Sequence, residues 1–177
     1  MKTQTPKSLG ITPTQFRNIA ILSLGVRYSV PPPKFDISDF NCDSRNSFTL
    51  QEAKYECGTT ACFLGYGPLL KIKPKQNEDW FGYCTRTISN RLERLYVTDC
   101  SDIYNMLFDA SHRNCPVAAA RRGAYLLLNG IPDEANLWQL SDWEAPKNFK
   151  PHWNVIRQIA ECKNLNLLKN GVTYKKH

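Results

Sequence analysis

Apolar positions recur at helical intervals along most of this chain. In "ITPTQFRNIAILSLGVRYS", Phe16, Ile19, Ala20 and Ser23 share one face of a helix. Thr12 stands where it caps that helix, Pro13 at its first position, and Gln15 where it completes a capping box. The three prolines of "VPPPKFDISDF" cannot continue a helix, so a rigid extended connector is expected there. "FTLQEAKYEC" reads as a short helix running into "CGTTACFLGYGPLL". In that stretch Gly58 permits a sharp entry, and Thr59 or Thr60 caps a helix over about Ala61 to Gly67.

"DWFGYCTRTISNRLERLYV" is ambiguous, with aromatic and β-branched residues first and a helical pattern in its second half. Ser101 or Asp102 caps "DIYNMLFDAS". Asn114 caps "CPVAAARRGAYLLL", whose buried stripe is expected to be Val117, Ala120, Ala124, Leu127 and Leu128, with Gly130 as its stop. Pro132 and Asp133 open a short helix through Leu140. Pro151 introduces "HWNVIRQIAECKNLNLL", with Trp153, Ile156 and Ala160 on one face. Residues 1–11 and 172–177 are expected to fray.

These elements predict a mainly α, compact single-domain helical fold with room for one small β-hairpin. The length of 177 residues suits one domain. No apolar run approaches the roughly 20 residues of a membrane span. "IAILSLGV" is interrupted by Ser23 and Gly25, and "MKTQTPKSLG" has no apolar segment after its lysines. A soluble, cytoplasmic protein without membrane attachment is the expectation.

Charge changes the picture more by position than by amount. The net charge is +7, yet residues 1–35 hold five basic side chains and no acid, and residues 145–177 hold seven basic and one acidic. The middle, residues 36–144, is net acidic, with eleven basic and fifteen acidic side chains. Residues 145–177 are therefore read as a basic C-terminal helical extension. If both ends fold onto one side, they form a positive face for phosphate or an acidic protein. The alternative is a set of solvated lysines that keep the chain soluble.

Seven cysteines are spread along the chain without a dense framework, which fits reduced thiols packed as small hydrophobes. Four readings compete for residues 57–70. Cys57 precedes a helix start and can act as a nucleophile if His112 approaches as base. Cys57 and Cys62 can join His112 and Cys115 in a zinc site. The backbone N–H groups of Gly58, Thr59 and Thr60 can bind an anion, although no P-loop or dinucleotide fingerprint is present. The favoured reading is structural: small residues let a tightly packed corner form, with Phe63 and Leu64 buried. No cofactor, catalytic residue or metal is assigned.

"KFDISDF", "CGTTACFLGYGPLL", "WFGY", "YNMLFDAS" and "CPVAAARRGAYLL" follow one another in an order that resembles a group of small proteins of bacteria and their phages. That group shares F-D-[IM], C-G-T-x-x-C-x-x-G, an L-F pair and P-x-x-A-A-x-R. The likeness spans roughly Thr12 to Gly130. No established activity attaches to the group, so the resemblance implies no catalytic residue. It implies an accessory protein, acting in the host cytoplasm if phage-encoded.

The leading expectation is a non-enzymatic accessory protein that binds and modulates a protein partner, inhibition of a host defence system being one form of this. The alternatives are nucleic-acid binding through the basic ends, and a small-ligand or cysteine site at Cys57–Thr60. Binding candidates are Gly58, Thr59 and Thr60, the arginines Arg121 and Arg122, and Trp143 with Lys147 and Lys150. Arg121 and Arg122 are adjacent, so one is expected to face solvent and the other to make a buried ion pair with Asp109 or Asp102. Trp143 and Phe149 are expected to be exposed.

Overall fold

The computed structural model describes residues 1–28, 63–64, 66–78, 80–89, 103, 106–107, 116–132 and 143–175. Among them the protein is mainly helical. Four α-helices are α1 (Pro13–Tyr28), α2 (Trp80–Thr87), α3 (Pro116–Asn129) and α4 (Trp153–Glu161). Two 3₁₀ turns, Pro68–Leu70 and Leu165–Asn170, complete the regular elements. No strand occurs among the described residues, only an isolated antiparallel bridge between Lys2 and Thr173.

The start of α1 follows from its first residues. The Gln15 side chain accepts from the Thr12 N–H at 2.8 Å, and the Thr12 hydroxyl accepts from the Gln15 N–H at 3.2 Å. This reciprocal box satisfies donors that a helix start leaves open. α1 is buried on more than one side: Phe16, Ile19, Ala20 and Leu22 are inaccessible, as is Ser23. It packs against α2, α3 and α4 and so forms the hub of the core.

Polar positions of α1 finish the helices around it. Gln15 Nε2 donates to the Thr85 carbonyl at 2.6 Å and Asn18 Nδ2 to the Thr87 carbonyl at 3.1 Å. Both acceptors lie in the last turn of α2, where carbonyls have no intrahelical donor. Arg17 Nε does the same for the Ala160 carbonyl near the end of α4, at 3.0 Å. The close of α3 uses the chain start instead, where the Gln4 N–H donates to the Leu127 carbonyl at 2.9 Å. Gly130 follows α3 at φ +93°, the left-handed region that favours glycine.

Several expectations change. Phe63 and Leu64 are inaccessible as expected, and so is Tyr66. The helix expected over Ala61–Gly67 does not extend through its described part: Phe63, Leu64, Tyr66 and Gly67 lie in turns, and Pro68 starts a 3₁₀ helix. A Leu64 carbonyl to Gly67 N–H bond of 2.8 Å closes that turn, the three-residue spacing of tight turns rather than of an α-helix. In "DWFGYCTRTISNRLERLYV" the first half is helical, as α2, and the second half lies outside the described residues. Val117, expected in the buried stripe of α3, is 51% exposed. The other four, Ala120, Ala124, Leu127 and Leu128, are buried as expected, and the buried face widens to take in Ala119, Arg122, Gly123 and Leu126. The expected caps at Ser101, Asp102 and Asn114 and the helix from Asp133 to Leu140 fall outside the described residues. Ile103, Met106 and Leu107 are helical and buried, at the expected spacing.

The C-terminal third is not an appendage. Val155, Ile156, Ile159, Leu168 and Tyr174 belong to the same buried cluster as α1 and α3. Its helix stops at Glu161, earlier than the apolar pattern suggests, because the Asn164 side chain accepts from the Asn166 N–H at 3.2 Å and starts a 3₁₀ turn. The ends, expected to fray, pair with each other. The Tyr174 N–H donates to the Met1 carbonyl, and the Thr3 N–H to the Val172 carbonyl, both at 2.9 Å. The Val172 N–H also donates to the Thr3 hydroxyl at 2.7 Å.

Candidate functional site

α3 presents Val117, Arg121 and Tyr125 as an outward row, because residues four apart stack on one helix face. Residues 143–150 fold back over that row. Two aromatic contacts hold them: Trp143 lies 4.6 Å from Tyr125 between ring centroids, and Phe149 lies 5.0 Å from Tyr125 nearly edge-on. The Phe149 N–H donates to the Pro146 carbonyl at 2.8 Å, which closes a turn between them. Trp143 and Phe149 are thus half-buried, not the exposed pair expected, because Tyr125 supplies a ring for both.

Between α3 and this segment lies an open cleft of about 320 Å³, lined by Val117, Ala118, Arg121, Arg122, Glu144, Ala145 and Lys147. That is at the small end of the ligand-pocket range, roughly 300–1,000 Å³. Arg121 Nη2 donates to the Pro146 carbonyl at 2.8 Å, and its guanidinium stands 5.7 Å from the Phe149 ring centroid. The cation therefore supports one wall of the cleft while keeping donors at its edge.

Arg122, on the neighbouring helical position, is only 3% exposed. Its Nη1 reaches the Met106 carbonyl at 3.5 Å. The expected division between the two arginines holds in outline, one buried and one facing the surface. The proposed partners Asp102 and Asp109 lie outside the described residues. Lys147 is exposed at the rim, and Glu144 supplies the one carboxylate of the lining among the described residues. Arg121 and the exposed Lys147 place positive charge at the edge of this concave site, which favours an anionic guest.

Arg121, Arg122 and Lys147 are therefore brought together by the fold, with Trp143 buttressing the wall. Lys150 is on the same segment, exposed, and not part of the lining. Gly58, Thr59 and Thr60, and the quartet Cys57, Cys62, His112 and Cys115, lie outside the described residues. Among the described residues, no three His, Cys, Asp or Glu side chains converge. Sequence reasoning missed Tyr125, the ring on which the site is assembled. Its signal was present: it follows Arg121 by four positions, on the face opposite the Ala120–Ala124 stripe.

A second polar cluster is structural. Glu78 accepts two 2.7 Å bonds from Arg86, at Nε and Nη2, and a third from the Lys75 N–H at 2.8 Å. Arg86 also donates to the Lys73 carbonyl at 2.9 Å. These bonds fasten the 72–78 loop to α2. The Arg86 bonds hold the Glu78 carboxyl below its usual pKa, against an opposing effect of burial. No helix among the described residues is long and apolar enough to cross a membrane. Comparisons with protein-family models, with curated proteins and with solved structures give no match to this chain.

Proposed function

We propose that this protein works by binding rather than by catalysis: it seats an acidic segment of a protein partner in the α3 cleft and modulates that partner. The observation that supports this reading is the convergence of Arg121, Arg122 and Lys147 on one concave site, beside the ring cluster of Tyr125, Trp143 and Phe149. Arginine and aromatic side chains are the residues enriched where proteins meet. Among the described residues, the lining offers cations, methyl groups and the Glu144 carboxylate. Val117, 51% exposed at the cleft, adds apolar surface for a neighbouring side chain of the partner.

The test is fluorescence anisotropy with a labelled decapeptide of glutamates interrupted by one leucine. Lys147→Glu and, separately, Arg121→Ala should each weaken binding severalfold, and the Lys147 effect should fade as salt rises because it is a rim charge. Lys147 is exposed, so its replacement leaves the fold intact, which a thermal melt would verify. Equal affinity of the Lys147→Glu protein and the unaltered one would overturn the assignment of the cleft.

A further inference from the structure

The pairing of the two chain ends has a chemical outcome separate from the cleft. Residues 1–28 contain four basic side chains and no acid, and residues 145–175 contain six and only Glu161. The Lys2–Thr173 bridge joins these two basic segments. Not all of the charge is available. Arg17 is spent on the Ala160 carbonyl, and the Arg27 guanidinium stacks 4.1 Å from the Trp153 ring centroid. Lys2, Lys163, Lys169 and Lys175 are exposed, and among the described residues none of them is in an ion pair.

The bridge fixes how the nearest of these point. Lys2 and Thr173 are directly opposite in an antiparallel pair, so their side chains leave on the same side. Lys175, two residues beyond Thr173, is exposed. The residues between them turn inward: Thr3 is 5% and Tyr174 9% exposed. Lys169 stands two residues before Gly171, whose backbone lies against Thr3 so closely that a Cβ there would sit 2.9 Å from the Thr3 carbonyl oxygen. The result is a set of exposed lysines close to a backbone junction held by hydrogen bonds.

We propose that these paired ends form a second binding surface, one that takes the phosphate backbone of duplex nucleic acid. Three observations choose this partner over other anions. The surface is rich in lysine and poor in arginine and aromatics, whereas lysine is depleted at protein–protein contacts. The ring nearest the bridge, Tyr174, is buried against His152 and so offers no stacking platform of the kind single strands need. The apolar face of α4 (Val155, Ile156, Ile159 and Ala160) is buried in the core, so this helix has no apolar face free to enter a lipid headgroup layer.

The experiment measures binding of a labelled 20-base-pair DNA duplex between about 50 and 200 mM salt. The unaltered protein should bind with an affinity that falls linearly in log–log form. Lys2→Gln/Lys169→Gln/Lys175→Gln should weaken binding at least tenfold at the low-salt end and flatten the slope by about 2 to 3, near 0.9 per phosphate contact. Lys→Arg at the same three positions should restore both. Lys71→Gln/Lys73→Gln/Lys75→Gln, which removes equal charge from the 72–78 loop, should leave the slope within about one unit. No duplex binding at 50 mM salt overturns the proposal. So does equal loss in the two Gln variants, or binding of phosphatidylserine vesicles or the glutamate decapeptide at these lysines in place of the duplex.

Discussion

Glu78 shows how one carboxylate organises a segment that has little core of its own. Only Ile72 is buried among residues 71–75, so the loop depends on the three bonds that Glu78 accepts. Its folded pKa is lowered, chiefly by the Arg86 side-chain bonds. The sign of the pH effect follows. A carboxyl depressed in the folded state stabilises it above the ordinary carboxylate pKa, and that contribution fades as pH falls through the ordinary range towards the lowered value. Glu78→Gln should therefore lower stability by about 1 kcal/mol at neutral pH, a modest figure for a partly solvated pair. The difference between variant and unaltered protein should vanish in acid. Urea melts at pH 7 and pH 3 check this, and a gap unchanged at pH 3 would refute it.

At the scale of elements, α1 and α3 cross in close contact. A Cβ on Gly123 would run into Ser23 Oγ and stand 3.1 Å from Phe63 Cζ. Ser23 has little room to yield, because its hydroxyl donates to the Ile19 carbonyl at 2.7 Å. Helix propensity alone makes Gly→Ala in mid-helix stabilising by about 1 kcal/mol. Here Gly123→Ala should instead destabilise, by about 1–3 kcal/mol from overpacking. Adding Ser23→Ala should recover part of the loss. A thermal melt in which Gly123→Ala raises Tm would show that the helices separate without cost. The opening of α1 was legible in sequence because its capping box is local, Thr12 with Gln15. The burial of Val117 was misjudged because apolarity alone does not say how far a wide buried face extends. On α3 that extent is set by the two small residues Ala119 and Gly123 and by Ser23 on another helix. The α3 cleft was legible only as a list of cations. Its shape depends on Tyr125 meeting Trp143 and Phe149, a contact spanning about twenty residues that no periodicity encodes.

Across the whole molecule, the closing contact is between residues 1–3 and 172–174. It was invisible in the sequence because backbone hydrogen bonds leave no side-chain signature, and short polar ends look alike whether paired or loose. Tyr174 anchors it, nearly buried and 4.9 Å from the His152 ring centroid. Tyr174→Ala should cost about 3 kcal/mol, the low end for deleting a large buried ring. Hydrogen exchange should quicken at the Thr3 and Val172 amides along with the loss. Protection of those amides left unchanged would mean that the pairing stands without its anchor.

The position of the hub has a further outcome for how the chain is made. α1 is synthesised early, yet the surfaces that cover it, on α3 and α4, begin at residues 116 and 153. At about 5–20 residues per second, a ribosome needs on the order of 5–20 seconds to deliver the first of them. Throughout that wait the faces of α1 that α3 and α4 cover stay open. The nascent protein is thus a natural client for chaperones that hold exposed greasy segments, and its yield should depend on their supply more than its final stability would suggest.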